Sequence, residues 1–124
     1  EKFKAASIGD KGISLGEGSI LNIDNLDISN SEIGVVSKDL SELRIKDMTH
    51  KSVKVPISAF IKKAEFGIPK IFIKNITPKT NSNLLISKDS IAEVNGRYIR
   101  SKFSSLEVEK MLYGNIYGAK TIRR

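Results

Sequence analysis

The chain has 124 residues, 40% hydrophobic and 28% charged, with no cysteine, no tryptophan and a formal net charge of +7. That length holds one domain with a single core, and the composition excludes wholesale disorder. The lack of cysteine excludes disulfide frameworks, thiol catalysis and Cys-based zinc sites, and no apolar run approaches the roughly eighteen residues that a membrane-spanning helix needs.

An imperfect repeat of 22 residues organises the sequence. Ile13-Ser14-Leu15-Gly16-Glu17-Gly18-Ser19 overlays Val35-Val36-Ser37-Lys38-Asp39-Leu40-Ser41 without a gap, and Ile20–Ile23 then overlays Glu42–Ile45. A third copy starts near Val55, and a shorter fourth covers Leu85-Ile86-Ser87-Lys88-Asp89-Ser90-Ile91. A fixed period means that each unit stacks on its neighbour to bury an apolar face.

In chain order, Gly9-Asp10-Lys11-Gly12 is a turn, Ile13–Leu15 a short strand and Gly16-Glu17-Gly18 the next turn. Ile23, Leu26 and Ile28 alternate with polar residues, and the phase break at Asp24-Asn25 predicts a bend between two strands. Leu43, Ile45 and Met48 repeat this alternation one coil later. Pro56 is expected at the start of a strand, since proline is excluded from strand middles. Ile71-Phe72-Ile73, continuously apolar, is expected to be buried on both faces. Thr77–Asn83 reads as a loop, and Asn95-Gly96 as a tight hairpin turn. Ser104 and Glu107 form a capping box for a helix that Gly114 ends, with Val108, Met111 and Leu112 on one face. That helix is expected to cover the open end of the stack, with Tyr98, Tyr113 and Tyr117 packed around it. The division is therefore coils over 1–100, at the end of a longer solenoid, and a cap with a basic tail over 101–124.

The motifs Gly12–Ser19, Ile28-Ser29-Asn30-Ser31-Glu32-Ile33-Gly34-Val35 and Val36–Ser41 resemble the right-handed parallel β-helix repeat proteins, the fold shared with pectin lyases. The fold expected is an all-β, right-handed parallel β-helix of about four coils with a short C-terminal helical cap. A β-sandwich or jelly roll is the alternative.

The turn acids Glu17, Asp39, Glu65 and Asp89 recur at near-coil spacing and would stack on one edge. Turn hydrogen bonding, rather than calcium binding, explains them. Lys38, Lys62, Lys63 and Lys88 are expected to interleave with them as a basic column, the candidate ligand-binding residues. Asp24, Asp27, Asp39, Asp47 and Asp89 form no local Asp-Asp pair of the hydrolase kind, and His50, the one histidine, lies at a corner without an obvious partner. No catalytic residue, metal site or cofactor is expected.

The function expected is a non-catalytic β-helical stalk or carbohydrate-binding module of an exported or surface-associated bacterial protein, with an anionic polysaccharide as ligand. Alternatives are part of a polysaccharide lyase or glycoside hydrolase whose catalytic residues lie on other coils, and a subunit assembly module. Nucleic acid is disfavoured, since no aromatic-basic motif accompanies the charge.

Overall fold

The computed structural model describes residues 2–62, 67–78 and 84–113, with side chains over 12–62, 67–78 and 84–112. The strands are β1 (Lys2–Leu15), β2 (Ile20–Lys38), β3 (Glu42–Phe60), β4 (Lys70–Thr77), β5 (Leu85–Ile86), β6 (Ile91–Val94) and β7 (Arg97–Tyr98), followed by helix α1 (Ser105–Tyr113). All pairings are parallel except β6 with β7. The chain is thus an all-β parallel β-helix with a short helical cap. Ile20, Glu42, Lys70 and Ile91 share one column, so the chain returns to it three times, and the solenoid makes about three turns.

The 22-residue overlay is the register of the structure. Ile13 pairs with Val35, Ile23 with Ile45, and the offset is constant from Ile20–Glu42 to Lys38–Phe60. Parallel in-register pairing points paired side chains the same way, so apolar residues one period apart stack inward. Leu43, Ile71 and Ala92 form one buried column, and Ile23, Ile45, Ile73 and Val94 another. Each full burial of an Ile or Leu contributes about 1.5–3 kcal/mol relative to exposure. The expected bend is present: Asp24 and Asn25 are both exposed between buried Ile23 and Leu26. Further corners use left-handed backbone at Asn30 (φ 54°) and at Ser52 (φ 58°), its equivalent one coil on.

A second apolar cluster lies outside the first. Ile33, Val36, Val55, Phe60 and Leu85 pack against Val108 and Leu112 of α1. Residues 55–60 are consequently buried on both faces, whereas Phe72 points outward and is only half-buried. Two-sided burial belongs to the strand under the helix, not to Ile71-Phe72-Ile73. Pro56 likewise lies within β3 rather than at a strand start, between the paired positions Val55 and Ile57.

The helix starts as its sequence dictates: Ser104 N–H donates to Glu107 Oε1 at 2.8 Å, and Glu107 N–H donates to Ser104 Oγ at 3.1 Å. Ser105 Oγ anchors it to the coil by accepting from Ile61 N–H at 2.8 Å. It lies along the flank, however, while the strand edge at the C-terminal end is met by β7. Asn95 (φ 54°) and Gly96 (φ 81°) make the left-handed pair of a two-residue hairpin, which folds β7 antiparallel onto β6. Tyr98 on β7 is 65% exposed rather than packed at the cap. Gly114, Tyr117 and the basic residues beyond them lie outside the described residues, as does the Tyr113 side chain.

Gly34 marks the tightest interior approach. A Cβ there would lie 2.5 Å from the Pro56 carbonyl oxygen, whereas one at Gly16 would meet nothing nearer than Lys38 Cε at 3.9 Å. Gly34→Ala is expected to destabilise the fold by about 1–3 kcal/mol and Gly16→Ala by far less, measured by denaturant unfolding. The hydrogen bonds from Ser104 hold the Glu107 carboxyl below its ordinary value of 4.5. A depressed carboxyl stabilises the folded state above its unfolded pKa, and this is lost as pH falls through the folded pKa. The protection of α1 amides, taken relative to their intrinsic exchange rate, should therefore fall on acidification through that range, and Glu107→Gln should flatten the dependence.

Candidate functional site

The corner that carries the lysines is built from stacked turns. Ser19 N–H donates to Gly16 O at 3.3 Å and Ser41 N–H to Lys38 O at 3.1 Å, closing equivalent four-residue turns. Their central residues, Glu17 (φ 51°) and Gly18 (φ 83°), then Asp39 (φ 48°) and Leu40 (φ 64°), are all left-handed. The ladder continues through the corner: Gly18 N–H donates to Asp39 O and Leu40 N–H to Gly67 O.

Lys38 and Lys62 share a small recess of about 260 Å³ with Gly16, Glu17 and Asp39. Asp39 is buried, and its Oδ1 accepts from Lys62 N–H at 2.7 Å. This is the turn chemistry expected of an acid at that place. Lys88 does not stack on Lys38. Lys38 pairs with Phe60, and the β3–β5 register sets Ser87 next in that column. The turn bonds agree, since Ser90 N–H donates to Ser87 O as Ser41 N–H does to Lys38 O. The Ser-Lys-Asp match is thus offset by one residue, and Lys88 holds the place of Asp39. It sits beside α1, where its N–H donates to Phe103 O at 2.7 Å. Lys63 and Glu65 lie outside the described residues.

A larger groove, of about 400 Å³, runs over the outer face of the sheet formed by the starts of β2, β3, β4 and β6. One row across it is Asn22, Arg44, Phe72 and Glu93, paired rung to rung. Beside it, Asp24, Lys46 and Lys74 fall between the paired positions of the same rungs. Arg44 Nε donates to Glu42 Oε2 at 2.5 Å, and its guanidinium lies 4.5 Å from the Phe72 ring centroid. Lys46 and Lys74, both exposed, are like charges on adjacent rungs about 4.8 Å apart. Such a pair is mutually unfavourable, by about 1 kcal/mol at 4 Å in water, and an anion between them relieves it. The groove therefore offers three cations and one aromatic face to a chain lying across the rungs, bounded by Asp24 and Glu93.

Two further acids are engaged by residues of the next coil. Thr49 Oγ1 donates to Asp27 Oδ1, and Asn75 Nδ2 to Asp47 Oδ1 at 3.0 Å. His50 Nε2 lies 3.2 Å from the Pro78 carbonyl oxygen, to which it donates. Among the described residues no three His, Cys, Asp or Glu side chains gather as metal ligands, and no helix is long and apolar enough to cross a membrane.

Arg44, Lys46, Phe72 and Lys74 were not among the residues that sequence reasoning picked out. The signal is present: residues 22 and 24 and their 22-residue equivalents 44 and 46 alternate outward from buried Ile23 and Ile45. The offset of 28 in the next coil hides the rest. No protein-family model, curated protein or solved structure matches the chain.

If Asp39 acts as a turn acceptor, Asp39→Ala should cost about 1–3 kcal/mol by leaving the Lys62 N–H unpaired. Asp39→Asn retains an acceptor oxygen and tolerates left-handed backbone, and should lose far less. An equal loss in both, measured by denaturant unfolding, would show that the charge itself is required.

Proposed function

We propose that the chain is a non-catalytic β-helical module of an exported or surface-associated bacterial protein, and that the groove over β2, β3, β4 and β6 binds an anionic polysaccharide. The observation that carries this reading is the cluster of Arg44 and Lys46 on one rung and Lys74 on the next, beside Phe72. An extended chain laid across these two rungs meets cations on both, the rungs being about 4.8 Å apart. Phe72 adds a flat apolar surface next to the charges, and Arg44, held by Glu42 and the ring, is preorganised. The resemblance to the pectin-lyase fold supports a saccharide ligand. The engagement of Asp27, Asp39 and Asp47 in hydrogen bonds supports a scaffold rather than an acid–base pair.

A panel of neutral and anionic polysaccharides, titrated at low and moderate salt, tests this reading. Binding should favour the anionic members and weaken with salt. Lys46→Gln combined with Lys74→Gln should reduce affinity roughly tenfold or more, about 1.4 kcal/mol, while Lys38→Gln with Lys62→Gln leaves it nearly unchanged. Loss of binding in the second pair alone would move the site to the corner recess. Failure of every polysaccharide to bind would leave only a structural role.

A further inference from the structure

We infer that the open edge of the solenoid, formed by residues 2–15 of β1 and 20–24 of β2, is a docking surface for one further β-coil of the same 22-residue repeat, laid parallel upon it. Among the described residues β1 is terminal in the strand order and pairs with β2 alone. Pairing between them begins at Asn25, so residues 20–24 have a strand neighbour on the β3 side alone among the described residues. Taken together these segments trace one complete coil, so the open edge is as long as the repeat itself.

The inward columns are unfinished at this edge. Leu21 is half-buried although Leu43 and Ile71, which continue its column, are fully buried. Ile13 and Leu15 retain 8% exposure where Val35, Ile57 and Ala59 retain none. Each is an apolar side chain that another layer of the same pattern would cover. Backbone groups follow the same logic. Glu42 N–H donates to Ser19 O, Lys70 N–H to Ser41 O and Ile91 N–H to Pro69 O, always one coil back. Ile20 N–H is the equivalent donor at the open edge.

The opposite end differs. β7 folds antiparallel onto β6, and Asn95 Oδ1 accepts from Ile76 N–H at 3.0 Å, so a side chain takes the place of a further strand there. Protected ends of this kind keep strand edges from pairing with other chains. This asymmetry identifies the occupant. A second copy has no matching strand end to stack head-to-tail. Two copies meeting at their open edges would run antiparallel, and the corner bonds from Gly18 and Leu40 continue only between coils that turn the same way. A parallel coil satisfies the strands, the corner and the inward columns at once. It should present apolar side chains to Leu21 and Ile23.

The test fuses one coil, copied from residues 24–45 of this chain, directly ahead of Glu1, so that the copied Leu43 and Ile45 fall over Leu21 and Ile23. Controls are the same fusion carrying Leu26→Asp, Leu43→Asp and Ile45→Asp in the copied coil, and the unaltered coil placed after Arg124. Amide exchange in residues 2–15 and 20–24 should slow at least roughly tenfold in the first fusion alone, with increased resistance to denaturant. Equal exchange in all three would overturn the proposal. Edge protection in the unfused chain that rises with protein concentration would also overturn it, since a second copy would then be the occupant.

Discussion

Parallel in-register pairing sets like side chains of successive coils over one another, and the inward columns that result hold this solenoid together. Ile23, Ile45, Ile73 and Val94 are buried because each sits on its equivalent in the next coil. A slip of one residue would turn every column outward, so the register is strongly specified wherever the interior is apolar. Interior positions that carry Ser are tolerated because corner groups satisfy them. Ser37 Oγ pairs with Ser41 Oγ and reaches the Lys70 carbonyl, where an unpaired hydroxyl would be costly.

The third coil shows how the register absorbs extra length. Between β3 and β4 the offset becomes 28, then 21 between β4 and β6, yet Leu43, Ile71 and Ala92 remain stacked. The added residues lie in the corner between Phe60 and Lys70, and Leu40 in its left-handed conformation folds over Gly67. Because the strands stay in phase, outward side chains also stay in phase. Arg44 therefore comes to lie over Phe72, and Lys46 beside Lys74, although 28 residues separate each pair in sequence. The binding face is a consequence of the same constraint as the core.

The solenoid was legible because its signal is periodic and local. The 22-residue overlay is the pairing register, the phase break at Asp24-Asn25 is a corner, Asn95-Gly96 is a hairpin, and Ser104 with Glu107 is a capping box. Illegible features depended on tertiary placement. That α1 lies on the flank is decided by Val36, Phe60 and Leu85 facing outward together, which no single segment reveals. Phe72 reads like its neighbours Ile71 and Ile73, but the sheet face above it is open and Arg44 covers its ring. Ser87-Lys88-Asp89 copies Ser37-Lys38-Asp39 in letters, yet its coil reaches the turn one residue earlier in register, so Lys88 falls out of the column of Lys38.

The most direct test of this architecture is a distance measurement between spin labels placed at residues 25, 47 and 75, which the structure pairs as Asn25–Asp47–Asn75. The chain has no cysteine, so labels attach only where cysteines are introduced. Parallel stacking puts backbones at 25 and 47, and at 47 and 75, about 4.8 Å apart, and those at 25 and 75 about twice that. Strong dipolar broadening in both adjacent pairs and weaker broadening in the outer pair is the predicted result. Broadening absent from either adjacent pair, or stronger between 25 and 75 than between neighbours, would contradict the stacked-coil account.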